Sequence, residues 1–140
     1  RAKVVEDGIW PPDTGEFIVN VQTDIFTPAP FLPVLDITRN IGPLFELRMY
    51  TYPAGAIPKV IDAWGPAIEA RMELSQPVGI WSLEDGDRNV WVHMWSYKSY
   101  EHRMEGRKKF ASISWPPPAG VSPITMENML LNAAPFSPVQ

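Results

Sequence analysis

The sequence predicts an α+β sandwich whose elements run β-α-β-β-α-β, the ferredoxin-like arrangement with both helices on one face of a sheet. Three observations carry this. No proline falls between Pro77 and Pro116, so strands and helices can run there without interruption. Two stretches, FELRMYTY from Phe45 and NVWVHMWS from Asn89, alternate residue by residue between two faces. A stretch with helical spacing follows each of them.

In the first strand, Phe45, Leu47 and Met49 share one face, and Glu46, Arg48, Tyr50 and Tyr52 share the other. Pro53-Ala54-Gly55 ends it with turn chemistry. A helix over about 57 to 74 follows, spaced by Val60, Ile61, Trp64, Ile68, Arg71 and Met72, with Pro66 expected to kink it. Val78 to Leu83 reads as the second strand, and Glu84-Asp85-Gly86-Asp87 as a hairpin turn. In the third strand, over 89 to 96, Val90, Val92 and Met94 oppose Trp91, His93 and Trp95. A second helix over about 98 to 113 and a last strand over about 124 to 131 complete the unit. The aromatic side of the sheet (Tyr50, Trp91, His93, Trp95) is expected to be the helix-free face, with too much apolar area to leave wet.

Composition removes several function classes. The chain has 140 residues, 45% apolar and 20% charged, enough for one packed domain. With 12 Lys and Arg against 16 Asp and Glu the net charge is −4, which argues against a nucleic-acid surface. No apolar run reaches the roughly 18 residues of a membrane helix. Cysteine is absent, so disulfides, thiolate nucleophiles and cysteine metal sites are excluded.

The 16 prolines cluster, and the clusters expose an internal repeat. At an offset of 105, Trp10, Pro11, Pro12 and Gly15 fall on Trp115, Pro116, Pro117 and Gly120. Ala29, Pro30, Phe31, Pro33 and Val34 fall on Ala134, Pro135, Phe136, Pro138 and Val139. The expected organisation is therefore the end of a first copy over 1–34, a linker over 35–43 and a complete copy over 44–140. The first segment should hold a helix end near 1 to 6 and a last strand over 17 to 27. Proline after each last strand should stop further pairing, with Phe31 and Phe136 capping the barrel.

The FELRMYTY strand, the VWVHMWSY strand over 90 to 97 and the closing Ala134-Pro135-Phe136-Ser137-Pro138 resemble the NIPSNAP family. The resemblance covers about 44 to 139, and 1 to 34 as the tail of a preceding copy. It implies a unit of the dimeric α+β barrel type, two units packing sheet to sheet as a homodimer or pseudo-dimer. That superfamily includes cofactor-free monooxygenases, small-molecule isomerases and cyclases, and haem enzymes; NIPSNAP proteins have no generally agreed catalytic residues. The compartment it implies is the cytoplasm, or the mitochondrion in a eukaryote.

His93, among Trp91, Trp95 and Tyr50, is the candidate acid–base, with Tyr50 as a catalytic partner. Equally, His93 is readable as a half-buried sheet residue hydrogen-bonded across an interface. Glu46 and Arg48 would hold a carboxylate or orient His93, or else form an interface ion pair. Trp91, Trp95 and Tyr97 would line the substrate site or simply pack. Arg103 and Arg107, four apart on the second helix, form either an anion patch or a solvated charged face, and His102 is expected to be solvated. No metal or other cofactor is expected, since two histidines without cysteine offer no ligand spacing. The function expected is that of a cofactor-independent enzyme acting on an apolar or aromatic small molecule. The alternative is a non-catalytic ligand-binding or protein-interaction scaffold.

Overall fold

The structure, a computed structural model, describes residues 3, 6 to 8, 15 to 33, 36, 39 to 85 and 88 to 140. Its strands are β1 (Ile25–Pro28), β2 (Leu44–Tyr52), β3 (Pro77–Asp85), β4 (Asn89–Tyr97) and β5 (Thr125–Asn132); its helices are α1 (Ile57–Met72) and α2 (Tyr100–Lys108). Among the described residues the strands form one antiparallel sheet in the order β1-β3-β4-β2-β5. Within 44 to 132 the first strand sits centrally between the third and the last, which is the ferredoxin-like order; β1 is added beyond it at the β3 edge. The fold class is α+β of this type.

Local chemistry accounts for the helix ends. Pro58 stands in the first turn of α1, where a missing N–H costs nothing, and the helix runs on through an exposed Pro66. In α2 the Ser99 hydroxyl caps the start by accepting from His102 N at 3.2 Å. Glu101 in the first turn and Arg107 and Lys108 in the last suit the helix dipole.

This second helix stops at Lys108, short of the expected 113. A 3-10 turn at Ala111–Ile113 and a left-handed Ser114 (φ 53°) reverse the chain, and Trp115 N donates back to Phe110 O at 2.9 Å. The reversal brings Trp115 onto Trp64, with ring centroids 4.6 Å apart. Burying that indole outweighs one more helical turn.

The expected strand over 17 to 27 shrinks to β1, and residues 15 to 17 form a 3-10 turn. Residues ahead of Ile25 meet no partner strand, and backbone groups without a ladder do not hold an extended pairing. The expected helix end near 1 to 6, and Gly86 and Asp87 of the hairpin turn, lie wholly or partly outside the described residues.

One expectation is reversed. The face bearing Tyr50, Trp91, His93 and Trp95 is the helix-covered face. Trp64 of α1 lies 5.5 Å from Trp91 and 4.9 Å from His93, ring to ring, and Tyr50, Val60, Trp64, Ile68, Trp91 and Trp95 are all buried. Alternation separates two faces but carries no sign telling which one a helix will cover. Long aromatic side chains fill the space between sheet and helices. The opposite face carries Leu47, Met49, Trp81, Val90, Val92 and Met94, which the strand registers bring together. On that face Trp81 lies over Gly79, so close that a Cβ at position 79 would overlap the indole.

Candidate functional site

The register of β2 on β4 sets Glu46 opposite Trp95, Arg48 opposite His93, Tyr50 opposite Trp91 and Leu44 opposite Tyr97. All seven residues singled out in the sequence (Glu46, Arg48, Tyr50, Trp91, His93, Trp95 and Tyr97) thus share one face under the helices. Side chains from α1 and α2 complete the group.

Glu46 is its hub. Only 1% exposed, it accepts from Arg103 of α2 at 2.7 Å and from the Tyr97 hydroxyl at 3.3 Å, with Arg107 at 3.9 Å. Burial alone would raise its pKa. The Arg103 hydrogen bond and the charges of Arg48, Arg103 and Arg107 outweigh that and hold the carboxyl below its ordinary value. Arg103 is held more firmly protonated in return, chiefly by the same hydrogen bond.

Arg71 closes the chain of contacts from α1. Fully buried, it donates to the Tyr97 hydroxyl at 3.2 Å and to Ser75 Oγ at 2.7 Å. Its guanidinium lies 3.8 Å from the Trp95 ring centroid and 4.7 Å from that of Phe110. An Arg71–Tyr97–Glu46–Arg103 relay therefore ties both helices to the sheet.

His93 sits beside this relay without joining it. Its Nδ1 accepts from Trp95 Nε1 at 2.6 Å, and the rings of Tyr50 and Trp64 each stand 4.9 Å away. Burial, reinforced by the charges of Arg48 and Arg71, pushes its pKa well below 6.5. The ring is neutral, and with Nδ1 accepting, its proton is assigned to Nε2, which has no partner. Burial likewise raises the Tyr50 phenol, so it stays protonated at neutral pH.

Four guanidinium groups (Arg48, Arg71, Arg103 and Arg107) thus surround one carboxylate among the described residues. Arg48 Nε, Arg71 Nε, Arg103 Nε and Arg107 Nη1 are buried donors without a hydrogen-bond acceptor, as are His93 Nε2 and Trp91 Nε1, although Arg107 Nη1 still stands in ion-pair range of Glu46. The group opens toward β5, whose helix-side residues Met126, Asn128 and Leu130 lie opposite Tyr50, Arg48 and Glu46 and are all exposed. No three His, Asp or Glu side chains among the described residues gather as metal ligands. A separate groove of about 510 Å³ lies beside β1 and β3, apolar but for Asp36, Arg39 and Gln76, and it does not reach His93.

Sequence reasoning missed the roles of Arg71 and Ser75. The signal was present: Arg71 continues the apolar stripe Val60, Trp64, Ile68, where a charged residue needs a reason. Arg103 and Arg107 turn toward Glu46 across the core, at 2.7 and 3.9 Å. His102 is half-buried rather than solvated; its Nδ1 accepts from Lys98 N at 3.2 Å and its ring meets Tyr97.

Comparison with known proteins agrees with the fold. The NIPSNAP family model matches residues 45–138. A NipSnap homolog of Dictyostelium discoideum is 33% identical over 79 residues, 56% of this chain and 35% of that protein. NipSnap homolog 1 of Danio rerio is 33% identical over 72 residues, 51% and 26% of the two chains. The chain thus spans only about a quarter to a third of the length of these curated relatives. Among solved structures, a NIPSNAP family protein of unknown function from Agrobacterium tumefaciens superposes with TM-score 0.57 at 29% identity, over 73% of this chain and 97% of that one. A second one from the same organism gives 0.60 at 27% identity, over 71% and 93%. No described helix is long and apolar enough to cross a membrane. With its sheet order, its two helices and most of its length matched, the chain belongs to the NIPSNAP family.

Proposed function

We propose that this NIPSNAP chain binds a small organic anion, a carboxylate attached to an apolar or aromatic body, between the exposed β5 and the guanidinium groups of Arg48, Arg103 and Arg107. The observation that carries the reading is the excess of guanidinium over carboxylate, with donors left unpaired. Buried cations without counter-charge are costly, and guanidinium groups bind carboxylates through paired hydrogen bonds. Tyr50, whose ring the Arg48 guanidinium approaches at 5.2 Å, offers a flat surface to the body of such a ligand. Trp91, Trp95 and Tyr97 shape the wall behind it.

An enzymatic use would draw on His93 and Tyr50. At neutral pH His93 is the neutral ring with its Nε2–H and Tyr50 is the intact phenol, so each keeps one hydrogen that suits donation to a developing oxyanion. Proton abstraction by His93 Nδ1 would require the Trp95 bond to open. A scaffold without catalysis would keep the same guanidinium cluster for binding alone. Two units would assemble through the sheet face that lacks helices, as a homodimer or pseudo-dimer.

Thermal denaturation with benzoate, acetate and phosphate in low-salt buffer tests the binding. A Kd of about 1 mM and about 10 mM benzoate would stabilise the fold by about 1.4 kcal/mol, a readable rise in Tm. Arg48→Met should remove most of that rise. If none of the three anions raises the wild-type Tm, the anion reading is wrong.

A further inference from the structure

We propose that residues 130–138 form a docking arm, built to seat Phe136 on another unit of the NIPSNAP type as residues 25–33 seat Phe31 on this one. The inference is independent of the anion site. It begins from two segments that share a sequence and a turn but differ in what they touch.

The first segment is docked. β1 adds a strand to β3, and Ala29, only 2% exposed, donates its N–H to Ile80 O at 2.8 Å. A turn follows, closed by Leu32 N donating to Ala29 O at 3.2 Å, and Pro30-Phe31 form its tip. Phe31 packs toward Trp91, ring centroids 6.3 Å apart, and lies over Gly65 of α1. A Cβ at position 65 would stand 3.5 Å from the Phe31 ring, an ordinary van der Waals contact, so the phenyl rests on α1 at that point.

The second segment repeats this 105 residues on. Ser137 N donates to Ala134 O at 2.8 Å, closing the same turn at the equivalent residues, with Pro135-Phe136 at its tip. A strand precedes it, as β1 precedes the first. Its phenyl, however, is 90% exposed. The expected partner follows from the docked copy: a β3-type edge for the backbone, and for the phenyl a seat between an α1-type helix and a β4-type tryptophan. Strand addition supplies affinity and the single aromatic anchor supplies specificity.

The test exchanges the two arms within the full chain, replacing residues 25–33 by the sequence of 130–138 and then adding Phe31→Ala. In the wild-type chain Phe31→Ala should lower Tm by about 5 °C or more, as loss of a partly buried phenyl does. The exchanged chain should lose a comparable amount. A change within about 1 °C there would mean that the 130–138 sequence does not seat its phenyl, and would overturn the proposal. Should the exchanged chain not fold, only the turn is exchanged, which in sequence is the single change Leu32→Ser, and Phe31→Ala is measured in that background. A loss of about 5 °C or more there supports docking, and a change within about 1 °C overturns it.

Discussion

Glu46→Gln removes the one carboxylate at the centre of four guanidinium groups while keeping the shape of the side chain. Glu46 is 1% exposed and the Arg103 side chain 11%, so water screens their 2.7 Å bond little. Arg107, at 36% exposure and 3.9 Å, adds little. Breaking a buried pair from one side typically costs about 3 to 5 kcal/mol; glutamine keeps some hydrogen bonding, so about 3 kcal/mol is expected. For a chain of this size that lowers Tm by about 10 °C.

The same substitution reports on binding. With its internal counter-charge gone, the guanidinium cluster should hold benzoate more tightly than wild type does, and added benzoate should recover part of the lost Tm. It also has a pH signature. The folded carboxyl titrates below 4.5, so the unfolded chain takes up that proton first as pH falls. The stabilisation is complete above the ordinary glutamate value and is lost as pH drops through the depressed one. Calorimetric scans from neutral pH into that range should show the wild-type advantage over Glu46→Gln shrinking. A variant melting within about 2 °C of wild type at neutral pH would refute the counter-charge reasoning.

Other expectations follow from single contacts. His93 is neutral when folded but charges near 6.5 when unfolded, so stability should fall as pH drops below that value, by up to about 1.4 kcal/mol per pH unit. His93→Phe should flatten that slope, and an unchanged slope would place the proton uptake elsewhere. Trp64→Ala empties the space between α1 and the sheet and should cost about 3 to 5 kcal/mol in urea unfolding; a cost under about 1 kcal/mol would mean the helix is not anchored there. Gly79→Ala drives a methyl into the Trp81 indole and should shift Trp81 fluorescence as well as lower Tm. Leu47→Glu on the helix-free face should give monomers in sedimentation if two units pair through that face, while leaving benzoate binding intact.

Much of the fold was legible because alternation and helical spacing are local properties. The pattern from Phe45 and that from Asn89 each specified a strand and its two faces before any contact was known. The Pro-free stretch from 78 to 115 marked where pairing could run unbroken. The end of α2 was not legible, since Trp115 decides it by packing on Trp64, a residue far away in the chain. β1 was overestimated for a similar reason: of the residues that read as extended, β3 offers an edge to only Ile25, Phe26 and Thr27.

For the site, the residue types were readable and their partners were not. Glu46, Arg48 and Tyr50 fell on one face of their strand by parity alone, and so did Trp91, His93, Trp95 and Tyr97 on theirs; the register joined the two sets. Which of the two faces lay under the helices is set by how the apolar stripe Val60–Trp64–Ile68 packs, and parity has no sign. The same packing turns His93 from a lumen residue into a neutral, enclosed donor, because burial and nearby guanidinium charge act together on its titration. It also turns Arg103 and Arg107 from helix-surface charges into partners of Glu46. Periodicity along the chain is enough to state a secondary structure and its faces; a charge's neighbours, and therefore its chemistry, exist only once the layers have closed.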